Sequence, residues 1–207
     1  MKHRDRVLMA LHHERPDRCP MQISFTPEFA DRLRQELQSQ AGGSPDRQHM
    51  HNPHGGGNTY ILERAIDQDL LLTSVGWANS YYQEGDSYID EWGVGWRAHP
   101  YTTPFGVGHY TEMVIHPLAD DSAIDRYTPP DPYRPELYTD AERVVREYGG
   151  EYWIVGVTVT TMFETAWALR GYQQMLMDLL VDQDLADRIL EIPYRYHLAA
   201  AQKLVEL

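Results

Sequence analysis

Tyr152-Trp153-Ile154-Val155-Gly156-Val157-Thr158-Val159 is a β-rich run of strand length. It passes almost without a loop into Thr160-Thr161-Met162-Phe163-Glu164-Thr165-Ala166-Trp167, which reads as a helix. A strand that feeds straight into a helix is one step of a βα unit. In such units the carboxyl end of the strand and the amino end of the helix face the pocket where ligands sit. Thr158, Thr160, Thr161 and Glu164 are the polar groups at that junction.

Two earlier runs have the same character. Cys19-Pro20-Met21-Gln22-Ile23-Ser24-Phe25 reads as a short buried strand, and Asp69-Leu70-Leu71-Leu72-Thr73-Ser74-Val75-Gly76 as another. Three parallel strands, around residues 20–25, 69–75 and 152–159, alternating with helices suggest the front of a (β/α) barrel or a doubly wound sheet. Between the second and third, residues 79–132 turn antiparallel. Residues 87–96 read as one strand and 110–115 as its partner. Pro100, Pro104, Gly106 and Gly108 lie in the connection.

Helices are expected at residues 3–13, 60–66 and 135–148. Another opens at Thr26-Pro27-Glu28, with Phe29, Leu33 and Leu37 as its inner face. A last helix begins at Asp184, and Pro193 is expected to kink it. Residues 198–207 form helix to the final residue without a glycine cap or proline stop, so the chain is expected to end before its fold is finished. Residues 39–58 are a polar, glycine-rich loop.

The chain has 207 residues, enough for one sizeable core. Its formal net charge of -13 argues against nucleic acid and against anionic membrane surfaces. A single cysteine, Cys19, excludes an intrachain disulfide and a zinc site built of several thiolates. Cys19 itself reads as a small buried thiol. Met1-Lys2-His3-Arg4-Asp5-Arg6 lacks the long apolar core expected of a signal peptide, and no apolar run approaches the roughly 20 residues that span a bilayer. The expected location is cytoplasmic.

Several segments together resemble the uroporphyrinogen decarboxylase superfamily, which also contains corrinoid-dependent methyltransferases. Arg4-Asp5-Arg6-Val7-Leu8-Met9-Ala10-Leu11 with His12-His13-Glu14-Arg15-Pro16-Asp17-Arg18-Cys19-Pro20 is similar to the family's first helix and entry to its first strand. Asp90-Glu91-Trp92-Gly93-Val94 resembles its inserted hairpin. Pro117-Leu118-Ala119-Asp120 and Pro130-Asp131-Pro132 resemble the return from that hairpin. Glu164-Thr165-Ala166-Trp167-Ala168-Leu169-Arg170-Gly171 resembles the helix after the middle strand. The resemblance implies a single domain over residues 1–207: an incomplete TIM-type (β/α) barrel, truncated at its carboxyl end, with an antiparallel hairpin insertion at about 79–132.

The resemblance also guides the choice of chemistry. A decarboxylase acting on uroporphyrinogen needs arginines to pair the substrate's carboxylates, and the family carries them just after the first strand. Here that place reads Gln22-Ile23-Ser24-Phe25-Thr26-Pro27-Glu28, without arginine; Arg32 and Arg34 follow on the next helix and are expected to face solvent. The end of the second strand, Thr73-Ser74-Val75-Gly76-Trp77, lacks the family's carboxylate. The reading preferred is therefore methyl transfer linked to a corrinoid. The alternatives are uroporphyrinogen decarboxylation, and an inactive fragment or half-barrel that binds a second chain through its sheet edge.

The full-length methyltransferase branch is expected to use zinc, held from the barrel's carboxyl half, and a corrinoid. Its partners would be a small-molecule substrate and a corrinoid protein, with a homodimer also open. Ser24, Ser74, Trp77, Thr160, Thr161 and Glu164 are expected to position substrate, while no nucleophile or base stands out.

Other constellations are open to two readings each. His49, His51 and His54 are either a metal site or loop histidines. Asp90 and Glu91 are adjacent, so one is expected exposed and the other hydrogen-bonded. His109 and Glu112 are either a catalytic base pair or a surface pair. Trp77, Tyr81 and Tyr82 are a ligand wall or core packing. Glu164 is a helix cap or a pocket acid.

Overall fold

The computed structural model describes residues 1–25, 27–41, 60–75, 87–104, 106–158 and 161–207. The chain is a mixed α/β protein. In order it forms α1 (His3–Leu11), α2 (Pro27–Ala41), α3 (Ile61–Ala65), β1 (Leu70–Val75), β2 (Ser87–Ile89), β3 (Gly95–Thr103) and β4 (Gly106–Ile115). Then come α4 (Asp121–Ile124), a 3₁₀ turn (Pro135–Leu137), α5 (Thr139–Tyr148), β5 (Trp153–Thr158), α6 (Met162–Arg170), α7 (Tyr172–Val181) and α8 (Gln183–Glu206).

β1 and β5 pair in parallel over six residues, from Leu70 opposite Trp153 to Val75 opposite Thr158. Their apolar, β-branched sequences suit strands that are covered by helices. Leu71, Thr73 and Val75 share one face, alternating with Leu70, Leu72 and Ser74 on the other. Leu71 packs with Tyr60, Val144 and Tyr152, and Val75 with Tyr138 and Ala200. That face therefore lies under α5 and α8. Gly156, opposite Thr73, sits where a Cβ would come 3.2 Å from Leu204 of α8, so the missing side chain lets the helix close on the strand.

The 20–25 segment does not form the expected third strand. Asp69 N–H donates to the Met21 carbonyl at 2.9 Å, but the next contacts are made by a side chain. The Gln68 carboxamide accepts from Ile23 N–H and donates back to Ile23 C=O, both at 2.9 Å. A side-chain amide has replaced the neighbouring backbone, so no ladder propagates.

The antiparallel insert also differs from expectation. The run 87–96 is not one strand, because Asp90-Glu91-Trp92-Gly93 folds back as a turn. Gly93 adopts φ +76° there, and the Asp90 carboxylate accepts from Trp92 N–H and Val94 N–H, both at 2.9 Å. β3 then pairs with both β2 and β4, and the Pro100 and Gly108 region lies inside the β3–β4 ladder rather than in a loop.

The largest core joins this insert to the helices. Trp92, Val94 and Trp96 pack with Leu118, Leu169, Met175 and Ile189. Full burial of each such side chain contributes about 1.5–3 kcal/mol. Gly171, at φ +94°, separates α6 from α7. Asp182 caps α8 by accepting from Leu185 N–H at 3.1 Å. α8 runs through Pro193 without ending, with that proline buried. On α2, Phe29 is exposed and Ala30 takes the inward place instead.

Candidate functional site

The carboxyl ends of β1 and β5 are brought side by side, with Ser74 opposite Val157 and Val75 opposite Thr158. Ser74 is buried, on the face away from α5 and α8. β5 leads into α6 at Thr161, its N-cap residue, and Glu164 lies in the first turn. Both are exposed. Thr161 makes no side-chain cap to α6, so its hydroxyl remains available at the helix's donor-rich end. This corner exposes the Thr161 hydroxyl and the Glu164 carboxylate beside the amino end of α6. It can orient a polar ligand.

Of the residues picked from sequence, Ser74, Thr161 and Glu164 lie at the ends of β1 and β5 or the start of α6. Ser24 is exposed, and its hydroxyl oxygen accepts from Gln22 Nε2 at 3.0 Å. Trp77 and Thr160 lie outside the described residues, as do Tyr81, Tyr82 and the histidines 49, 51 and 54. Cys19 is exposed rather than buried, and its thiol meets the Pro20 carbonyl at 3.6 Å. It falls in the open approach to Met21 instead of in a strand. Asp90 is buried and accepts a third hydrogen bond, from Trp96 Nε1 at 2.7 Å, whereas exposed Glu91 pairs with Arg134. Glu112 is met by His99, Nε2 to Oε2 3.0 Å, on the exposed face of the hairpin.

The strongest electrostatics lie away from this corner. At the amino end of β1, the fully buried Asp69 carboxylate accepts from Arg6 Nη1 and Arg18 Nη1 at 2.5 Å each and from Met21 N–H at 2.8 Å. His3 Nδ1 lies 2.9 Å from the same group, and its ring stacks on Tyr152. Burial pushes the Asp69 carboxyl up. The hydrogen bonds from His3, Met21, Arg18 and Arg6 outweigh that and hold it below the usual carboxylate range. Asp17 is also held below the usual carboxylate range by Arg6, which grips it at 2.6 and 2.9 Å. This network clamps α1 against the sheet at the end opposite Ser74 and Thr161.

A second clamp centres on Arg170, the last residue of α6. Its guanidinium donates to Asp178 at 2.7 Å, Asp121 at 2.6 Å and the Leu118 carbonyl at 2.8 Å. Burial pushes Asp178 up, but the bonds from Arg170 and Gln174 bring it below its ordinary value. His197 of α8 is buried, 3.2 Å from the Thr165 hydroxyl and stacked beside Trp92. Sequence reasoning singled out none of these clusters as anchors. The signal was there for Arg170, a lone charge closing an otherwise apolar stretch of helix.

Among the described residues, no group of three His, Cys, Asp or Glu side chains is placed to hold a metal ion. The zinc that the methyltransferase resemblance implies is expected to be held from the barrel's carboxyl half, so no step is routed through it here. No described helix is long and apolar enough to cross a membrane. The chain is a mixed α/β protein with polar side chains at the carboxyl ends of its parallel strands. No family model, curated protein or solved structure matches the chain.

Proposed function

We propose that this chain forms the amino-terminal wall of a TIM-type barrel of the uroporphyrinogen decarboxylase superfamily, and that the wall positions a small molecule for methyl transfer linked to a corrinoid. The observation that carries the reading is the parallel β1–β5 pair, in register over six residues, with Ser74, Thr161 and Glu164 at its carboxyl end. Ligands of parallel α/β folds bind at that end. The hairpin of β2, β3 and β4 falls between the two strands in sequence, where the family resemblance expects an insert. The absence of arginine from residues 22–28 favours methyl transfer over decarboxylation, because a polycarboxylate substrate needs guanidinium partners.

In this reading Thr161 hydrogen-bonds the methyl donor, Glu164 accepts from its amide groups, and Ser74 lies beside them at the end of β1. A corrinoid, when bound, would supply the methyl group. The test is calorimetric titration of the protein with methylcobalamin, with uroporphyrin as the competing tetrapyrrole. Methylcobalamin should bind, and Thr161→Val and Glu164→Gln should each weaken it at least about tenfold. Both side chains are exposed, so the melting temperature should not move. Preference for uroporphyrin, or corrinoid binding indifferent to both substitutions, would overturn the proposal.

A further inference from the structure

Helix α6 begins without a cap. Thr161 makes no side-chain bond to the helix, and residues 161–164 are all exposed. A helix start of this kind is prone to fray, because its first N–H groups have no partner within the helix. The first buried residue of α6 is Thr165, with 0% of its surface exposed. Its N–H donates to the Thr161 carbonyl at 3.1 Å and closes the first turn. Its hydroxyl lies 3.2 Å from His197 Nε2 of α8. The His197 ring is buried, and Trp92 of the antiparallel insert lies nearly parallel to it, centroids 6.2 Å apart. Packing alone would be served by an apolar ring at this place; a histidine keeps a polar nitrogen against a hydroxyl.

We propose that His197 is the positioning residue of the strand-end corner. Through the Thr165 hydroxyl it fixes the uncapped first turn of α6, and so sets where Thr161 and Glu164 point. His197 and Thr165 are buried, whereas Thr161 and Glu164 are exposed, so the first pair holds and the second pair meets the ligand. The place of His197 on α8 suits this role. Ala200, three residues on, packs with Val75 at the carboxyl end of β1, so the ring stands within about one helical turn of the strand ends. The same contact ties the antiparallel insert to the corner, because Trp92 braces the ring that holds Thr165. The hold on the turn is independent of which ligand binds; its effect on binding rests on the methylcobalamin reading above.

Amide exchange and calorimetry with methylcobalamin, run on one set of variants, test it. His197→Phe should speed exchange at the Thr165 amide and weaken methylcobalamin, each at least about fivefold. His197→Gln, whose carboxamide reaches the position of Nε2, should restore both. Thr165→Val should match His197→Phe. The double variant His197→Phe with Thr165→Val should be no worse than either single, because all three lose the same contact. A defect that His197→Gln shares with His197→Phe, or that adds to that of Thr165→Val, would mark a role in packing and overturn the proposal. Unaltered exchange at Thr165, or faster exchange with unaltered affinity, would overturn it equally. A native protein that binds no methylcobalamin, while His197→Phe still loosens Thr165, would sink the corrinoid reading and uphold the hold of His197 on the turn.

Discussion

Replacing Asp69 by alanine is expected to loosen the amino-terminal third of the fold. The carboxylate is fully buried and serves Arg6, Arg18, His3 and the Met21 N–H at once. Its removal leaves the Arg6 guanidinium, only 7% exposed, without one of its two anions. Breaking a buried pair by deleting one partner costs about 3–5 kcal/mol. Two features favour the lower figure. Arg6 keeps its two-pronged contact with Asp17, and the more exposed Arg18 keeps Asp67 at 2.7 Å. A loss of about 3 kcal/mol, or roughly 10 °C in melting temperature for a domain of this length, is the expected outcome. Urea unfolding at neutral pH gives the energy, and amide exchange gives the location: Met21 should lose protection. Asp69→Leu combined with Arg6→Met should recover part of the loss, since neither charge is then stranded. A cost below about 1 kcal/mol, or an unaltered Met21 amide, would refute the view that this network holds α1 and residues 20–25 to the sheet.

Acid should destabilise the protein through the same groups. Asp17, Asp69 and Asp178 all have carboxyls held below their ordinary range in the folded chain. The unfolded chain therefore takes up their protons first. Their contribution is complete above about pH 5 and is lost as pH falls through the folded values. An acid titration followed by circular dichroism should show this, and Asp69→Asn should flatten the slope; a protein that gains stability between pH 5 and pH 3 would contradict it. Gly95→Ala should cost about 1–3 kcal/mol in a thermal shift assay, because the added Cβ would lie 2.6 Å from Ile115 Cβ across the ladder. Pairing it with Ile115→Ala should return much of that loss.

The parts of the fold legible in the sequence were those where one local pattern decided the structure. β1 and β5 are apolar runs of strand length, and the turn from β5 into α6 carries its hydroxyls and carboxylate in plain order. The readings that failed turned on side-chain hydrogen bonds and backbone angles that composition does not display. Residues 20–25 have the composition of a strand, but a strand needs a neighbour, and what meets Ile23 is the side chain of Gln68. Asp90 to Gly93 looks like mid-strand until Gly93 is seen at positive φ with the Asp90 carboxylate closing the turn. The break between α6 and α7 rests on Gly171, which tolerates φ +94° at the end of an otherwise continuous helical pattern. For the candidate site, Ser74, Thr161 and Glu164 could be chosen from position alone. The clamps on Asp69 and Arg170 could not, because each gathers residues up to tens of positions apart.

Past Met21, the described backbone hydrogen bonds of the 20–25 segment go to one carboxamide, that of Gln68. A ladder comes apart bond by bond, whereas here both bonds are made by one side chain. Exchanging nitrogen for oxygen, as in Gln68→Glu, turns the donor that grips the Ile23 carbonyl into a second acceptor facing it. One such exchange should loosen the strip of chain that carries Ser24.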